Sequence, residues 1–402
     1  MKTVGLIAEY NPFHNGHQYH IEKAKELTGA DTAIVIMSGN FTQRGTPAIM
    51  PKHLRTQAAL LSGASLVIEL PVCFSTGSAE IFAYGAVSIL EKLGCVDTLC
   101  FGSECGDITL LQKLSHILSE EPDYYKERLN FYLRQGNSFP TAREHALHDY
   151  EPTSEIGSIL SQPNNILGIE YLKALHRLES TIKPYTIKRI SSHYHDKELQ
   201  EQYSSASAIR EVLSKDTLHL LEEQMPSNVL AFLKEQQNQR YPITANDFSV
   251  LLKHQLLKET CVSLCDYADV SEELANRIHN HLNEYIDFEQ FCACLKTKEI
   301  TYARISRALL HILLGIRTSD CTKPEYARIL GFRKADTAVL SEIKKHATIP
   351  LISKLGTAEE LSSTAKHMLE TDIYASNLYE SVLTDKFKTP FINEYEHSIV
   401  RI

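Results

Sequence analysis

Two histidines near the start of the chain, His14 and His17, have Gly16 between them and follow a short apolar run, Val4 to Ala8. Between run and histidines lies a polar turn, Glu9-Tyr10-Asn11-Pro12-Phe13. Beyond them Ile21, Ala24 and Leu27 recur at helical spacing. A strand that ends in a turn and opens a helix makes an anion site. Free N–H groups point at the ligand and the helix dipole favours negative charge. Imidazoles at that turn add donors, and Gly16 leaves room for close approach. On a nucleoside triphosphate they would stabilise charge growing at the α-phosphate and on the departing pyrophosphate. Far along the chain, Ser204-Ser205-Ala206-Ser207-Ala208-Ile209-Arg210 offers hydroxyls at a second helix start and an Arg one turn in. Such a group can hold β- and γ-phosphates. Ser207 is the expected N-cap of a helix over 208–213.

These residues need elements to position them. Strands are expected at Thr3–Ala8, Thr32–Met37, Leu66–Leu70 and Thr98–Phe101, and a fifth at 186–190. Helical patterns separate the first four (16–28, 52–61 and 79–93). Continuous apolar strands between helices indicate a parallel sheet covered on both faces. That is a doubly wound α/β, Rossmann-like domain with its ligands at the carboxyl ends of the strands. The Gly-, Asn-, Ser- and His-rich turns fall at those ends: 10–17, 38–45, 71–78 and 102–106. Residues 107 to about 180 read as helical with aromatic and charged faces. From Leu218 onward the pattern is helical and stays so, giving an all-helical second domain. The domains are placed at 1–225 and 226–402, with the boundary within 215–245.

The 402 residues carry a net charge of -9, with 43% hydrophobic and 23% charged residues, so the chain is an ordinary globular one. No apolar run is long enough to span a membrane. The N-terminus enters the first strand directly, so no signal peptide is expected. Nine Cys, with no CxxC pair, read as reduced cytosolic thiols, and a cytoplasmic location is expected. A zinc site at Cys261, Cys265, Cys292 and Cys294 has poor spacing. Metal ligation by His53, His193 or His195 is likewise not favoured, and a Mg²⁺ ion bridging phosphates needs few protein ligands. From Lys296 to Lys345 eleven Lys/Arg face five Asp/Glu, a basic segment on an acidic protein. Arg304, Arg307, Arg328, Arg333 and Lys334 lie in it, interleaved with Tyr302, Tyr326 and Phe332. Arg beside aromatics suits phosphate backbones and splayed bases. Arg44 and Lys52 are further cations that could face phosphate or acetate, or simply the surface.

His14-x-Gly16-His17 and the Ser205–Arg210 loop together resemble the HIGH-type nucleotidylyltransferase superfamily. Its second signature is an ISSTxIR-like loop. Aligned on Ile209-Arg210, Ser207 takes the Thr position, Ser205 the first Ser, and Ala206 replaces the second. Which hydroxyl makes the main phosphate contact stays open. The longer match over 5–17 narrows the resemblance, with Met37–Gly45, Leu66–Pro71, Phe101–Glu104, Pro163–Leu167 and Tyr302–Arg307. Together they resemble the bacterial tRNA-methionine cytidine acetate ligase family across nearly the whole chain.

The resemblance implies a ligase that activates acetate with ATP and Mg²⁺. It would form acetyl-adenylate and acetylate N4 of the wobble cytidine of elongator tRNA(Met). Catalysis would fall to His14, His17, Ser207 and Arg210. ATP would lie on Ile7, Ala8, Glu9, Tyr10, Asn11, Pro12, Phe13, His14, Asn15, Gly16, His17, Gln18, Tyr19 and His20. Gly102, Arg189 and one of Asn164 and Asn165 would complete its site. No membrane and no protein partner is called for. The rival readings are nucleotidyl transfer to a small phosphate metabolite and a non-enzymatic tRNA-binding protein.

Overall fold

The computed structural model describes residues 1–152, 156–189, 205–215 and 218–402. His193, Tyr194, His195 and Ser204, singled out above, lie outside them. Five parallel strands form the centre: β1 (Thr3–Ala8), β2 (Thr32–Ser38), β3 (Leu66–Leu70), β4 (Thr98–Ser103) and β5 (Lys183–Lys188). Their order across the sheet is β5-β4-β1-β2-β3. Chain order reverses between β1 and β4, and ligands of open α/β sheets bind at that switch point, beyond the carboxyl ends.

The helices used below are α1 (Asn15–Thr28), α2 (Lys52–Leu61), α3 (Ala79–Lys92), α4 (Pro163–Arg177), α5 (Ala206–Ser214), α6 (Ser227–Gln236), α7 (Tyr302–Leu314) and α8 (Ser363–Phe387). Alternate residues of each strand feed opposite faces. Ala33, Val35 and Met37 of β2 pack with α1, α2, α5 and α6; Ile34 and Ile36 pack in the core that includes α3 and α4. Both faces are therefore apolar, which is why these strands read as continuous runs. The second core continues without a break into the helices beyond 245, including Ile305, Leu309 and Ile312 of α7.

The second half of the chain is not wholly helical. Strand β6 (Ala327–Phe332) pairs antiparallel with β3, and β7 (Leu351–Ile352) and β8 (Val400–Arg401) pair with β6. A short apolar run among charged helices cannot be told from a helix by periodicity. What decides it is the open edge of β3, whose backbone groups need partners. The fifth strand begins three residues earlier than expected, at Lys183. Among the described residues no helix is long and apolar enough to cross a membrane.

Candidate active site

The turn after β1 builds the first wall. Tyr10 takes a left-handed backbone (φ 48°), an uncommon conformation for a bulky residue. His14 is the N-cap of α1, and the two histidines cap the helix reciprocally. The Gly16 amide donates to His14 Nδ1 (3.1 Å), and the His14 amide donates to His17 Nδ1 (3.3 Å). Each Nδ1 is thereby an acceptor, which puts the ring proton on Nε2 of both. The rings stack at 3.8 Å between centroids. Backbone geometry thus sets the tautomer and orientation of two N–H donors.

Burial, with the charges of Arg189 and Arg210, holds His14 down to about 3, far below 6.5. Burial first, then His14, Arg189 and His20, lowers His17 well below 6.5. His20 falls to about 4, by burial and Arg189. At neutral pH all three rings are neutral donors, and the positive charge of the site comes from arginines.

The opposite wall is α5. Its N-cap is Ser205, whose Oγ accepts from the Ala208 amide (3.1 Å); Ser207, expected in that role, stands two residues inside the helix. Arg210 donates to the Asn11 carbonyl (2.7 Å) and to Ser207 Oγ (3.0 Å), tying this wall to the β1 turn. At the end of β4, a Cβ on Gly102 would lie 3.3 Å from Arg189 Cγ, so the glycine lets the Arg189 side chain lie flat across the strand end. Arg189 has no ion-pair partner among the described residues.

Between the walls lies a cavity of about 400 Å³. Of the expected ATP residues, Ile7, Ala8, Glu9, Tyr10, Asn11, His14, Gly16, His17, Tyr19, His20, Gly102, Asn164 and Arg189 line it, with Ser207 and Arg210. Tyr10 Oη and His20 Nε2 are buried there without a hydrogen-bond partner among the described residues, polar atoms that a ligand would satisfy.

Pro12, Phe13, Asn15, Gln18 and Asn165 do not line the cavity. Phe13 is core, packed on Tyr10 and His17. Asn15 donates to the Glu223 carbonyl, and Gln18 to Glu22. Asn165 is buried, its Oδ1 accepting from the amides of Glu104 and Cys105 (2.9 and 3.1 Å). Glu104 in turn accepts from the Asn164 and Asn165 amides at the start of α4. That carboxylate also accepts from the Asn164 side-chain amide (2.6 Å), and of the pair Asn164 is the one that lines the cavity.

Lys52 and Arg328 are corrections. Lys52 is fully buried, 2.7 Å from Glu69 and 2.8 Å from Glu394. Arg328 is buried against the same carboxylates, at 3.1 and 2.5 Å. Arg307 pairs with Asp269 at 2.8 Å and is 12% exposed, so its charge is used within the fold. Arg304 and Lys334 are exposed; Arg333 is half-buried, 3.9 Å from Asp336.

Sequence reasoning missed Arg55. Fully buried in α2, it donates to the carbonyls of Glu9 (2.6 Å), Ser38 (3.0 Å), Met50 (3.1 Å) and Gly39, joining the ends of β1 and β2. Its signal was a second cation, after Lys52, amid the apolar pattern of 52–61. The missed apolar wall is Phe82, Phe101, Ile166, Leu167 and Tyr171.

The chain matches the HIGH Nucleotidyl Transferase family over residues 1–393. It is 44% identical over 392 residues to the tRNA(Met) cytidine acetate ligase of Acetivibrio thermocellus, covering 94% of each chain. Identity to the protein of that name from Clostridium tetani is 42% over 401 residues, 96% of each. Among solved structures, Thermotoga maritima TmcAL in its apo form superposes with a TM-score of 0.93 at 31% identity, covering 100% of both chains. The same protein bound with alpha-thio ATP gives 0.91 at 31% identity, over 100% of this chain and 99% of that one.

Proposed function

We propose an activity from one premise: the chain belongs to the tRNA(Met) cytidine acetate ligase family and is an ATP-dependent ligase. It acetylates N4 of the wobble cytidine of elongator tRNA(Met), in two steps. An acetate oxygen attacks the α-phosphorus of ATP, the bond to the bridging oxygen breaks, and pyrophosphate leaves. The cytidine amine then attacks the acetyl carbonyl of the mixed anhydride, AMP leaves, and the amine gives up a proton.

The observation that carries this reading is the reciprocal cap of His14 and His17. It fixes two neutral Nε2–H donors on the cavity side, aimed where charge grows in the first step. Ser205, Ser207 and Arg210 hold the terminal phosphates at the start of α5. Gly102, Asn164, Ile166 and Leu167 take the adenosine, with Arg189 beside it. Glu9 is the one carboxylate on the cavity wall among the described residues, and the clusters able to ligate a metal lie elsewhere. That wall suits a Mg²⁺ held by phosphate oxygens and water. Residues 1–225 carry this chemistry, and 226–402 present the tRNA through Arg304; Arg333 and Lys334, beside Ser65 at the amino ends of the strands, lie at the far edge of the sheet from the cavity.

The test is acetate-dependent exchange of labelled pyrophosphate into ATP, followed by transfer of labelled acetate to tRNA. Digestion of the RNA should release labelled N4-acetylcytidine. Exchange that runs equally well without acetate would overturn the first step. Label absent from cytidine would overturn the second.

A further inference from the structure

The cations on the cavity wall fall into two groups. Lys188 and Arg189 end β5, and Arg210 leans on the β1 turn from α5. Arg44 follows β2, on the other side of β1 from β5. The first group suffices for a triphosphate. Arg44 stands apart from it, exposed at the mouth, whereas His14 is buried.

The loop that carries Arg44 is built to stay in place. The Thr42 amide donates to the Thr46 carbonyl (2.9 Å), and the Gly45 amide to the Thr42 carbonyl (2.9 Å). Glu9 accepts from the Gln43 amide (2.8 Å), anchoring the loop to the turn that holds the histidines. Gly45 is pressed onto α7: a Cβ there would lie 2.3 Å from the Arg307 amide nitrogen, and its φ is +75°. The buried Ser306 hydroxyl donates to the Gly45 carbonyl (2.9 Å). Arg44 is one residue from this contact, and Arg304 is exposed on another face of α7.

We propose that this loop is the acceptor lip of the cavity. Arg44 holds the phosphate of the RNA nucleotide presented for acetylation, and the Gly45–Ser306 contact fixes its loop against α7. The inference rests on the function proposed above and adds the RNA path to it. A guanidinium at the mouth meets an acceptor arriving from solvent, and the basic helical half supplies the neighbouring contact. Ser306 touches no substrate and is a positioning residue.

The experiment uses the full chain and an unmodified elongator tRNA(Met) transcript. Arg44→Ala, Arg44→Lys and Ser306→Ala are compared with wild type in acetate-dependent pyrophosphate exchange without RNA and in acetyl transfer. Arg44→Ala is expected to raise KM for tRNA at least tenfold, with a much smaller change in exchange. Arg44→Lys should recover part of the loss, and Ser306→Ala should raise the same KM about threefold with kcat little changed. Direct tRNA binding at several salt concentrations should lose about one unit of salt slope in Arg44→Ala. An unchanged KM and salt slope would overturn the lip. So would a raised KM for acetate with exchange and transfer falling together, which would place Arg44 on acetate instead. Failure of wild type to exchange with acetate would strike the underlying reading alone, and the salt slope would still judge the lip.

Discussion

Two polar clusters lie near the carboxyl ends of the strands, and they use the same residue types in opposite ways. One is the cavity of His14, His17, Arg189 and Arg210. The other is the buried group Lys52, Glu69, Arg328 and Glu394 between α2, β3, β6 and the C-terminal segment. In the buried group the formal charges cancel, two cations against two carboxylates within 3.1 Å. Burial works against the charge of Glu394, but Lys52, His53 and Arg328 outweigh it and hold its pKa far down. Burial likewise opposes Arg328, yet Glu69 and Glu394 push it up. In the cavity, among the described residues, Glu9 is the one wall carboxylate and two polar atoms lack partners. A buried cation with matched carboxylates holds a fold together. Cations and oriented donors gathered on a cavity wall are what an anion needs. Residue type alone does not separate the two.

The largest effect should come from breaking the matched cluster. Arg328→Met leaves Glu69 and Glu394 with one cation, and loss of a partner from a buried pair costs about 3–5 kcal/mol. Chemical denaturation should show that loss, while ATP affinity of the remaining folded protein stays within about threefold. Weakened ATP binding with normal stability would erase the contrast. In the cavity the order reverses. His14→Ala or His17→Ala should cut acetate-dependent exchange by about 100- to 1000-fold, as for a lost transition-state donor. Stability should fall by only about 1 kcal/mol, through the lost cap.

The adjacent asparagines give the same contrast at smaller scale. Asn165→Ala orphans two amides and should cost about 1–3 kcal/mol of stability. Asn164→Ala should raise KM for ATP and, losing one part-buried bond to Glu104 (2.6 Å), cost less stability than Asn165→Ala. Equal behaviour of the two would sink the assignment of Asn164 to the ligand.

A further contrast is in pH. His20 titrates at about 4 in the folded chain and near 6.5 when free. Between these values the unfolded chain binds the extra proton, so this residue's contribution falls as pH drops from 6.5 towards 4. The stability gap between wild type and His20→Asn should shift by that sign across the window. A gap independent of pH would contradict the burial of that ring.

Much of the site was legible because its logic is local. Strand, turn and helix start are nearest-neighbour matters, and His14 and His17 sit where the polypeptide must offer donors. The placement of Ser207 as N-cap was off by two residues, since Ser205 and Ser207 are equal candidates by type. Asn164 and Asn165 could not be told apart, because only the packing of Glu104 decides which one turns inward.

The sequence by itself determined the central parallel sheet, the histidine turn that opens a helix after its first strand and the capped helix start at Ser205–Arg210. Those follow from apolar periodicity and from capping within a few residues. Only the tertiary structure decided which cations are spent. Lys52 meets Glu394, and Arg307 meets Asp269, across separations no local pattern encodes. The same holds for β6, whose six residues become a strand because the edge of β3 has unpaired backbone groups to offer.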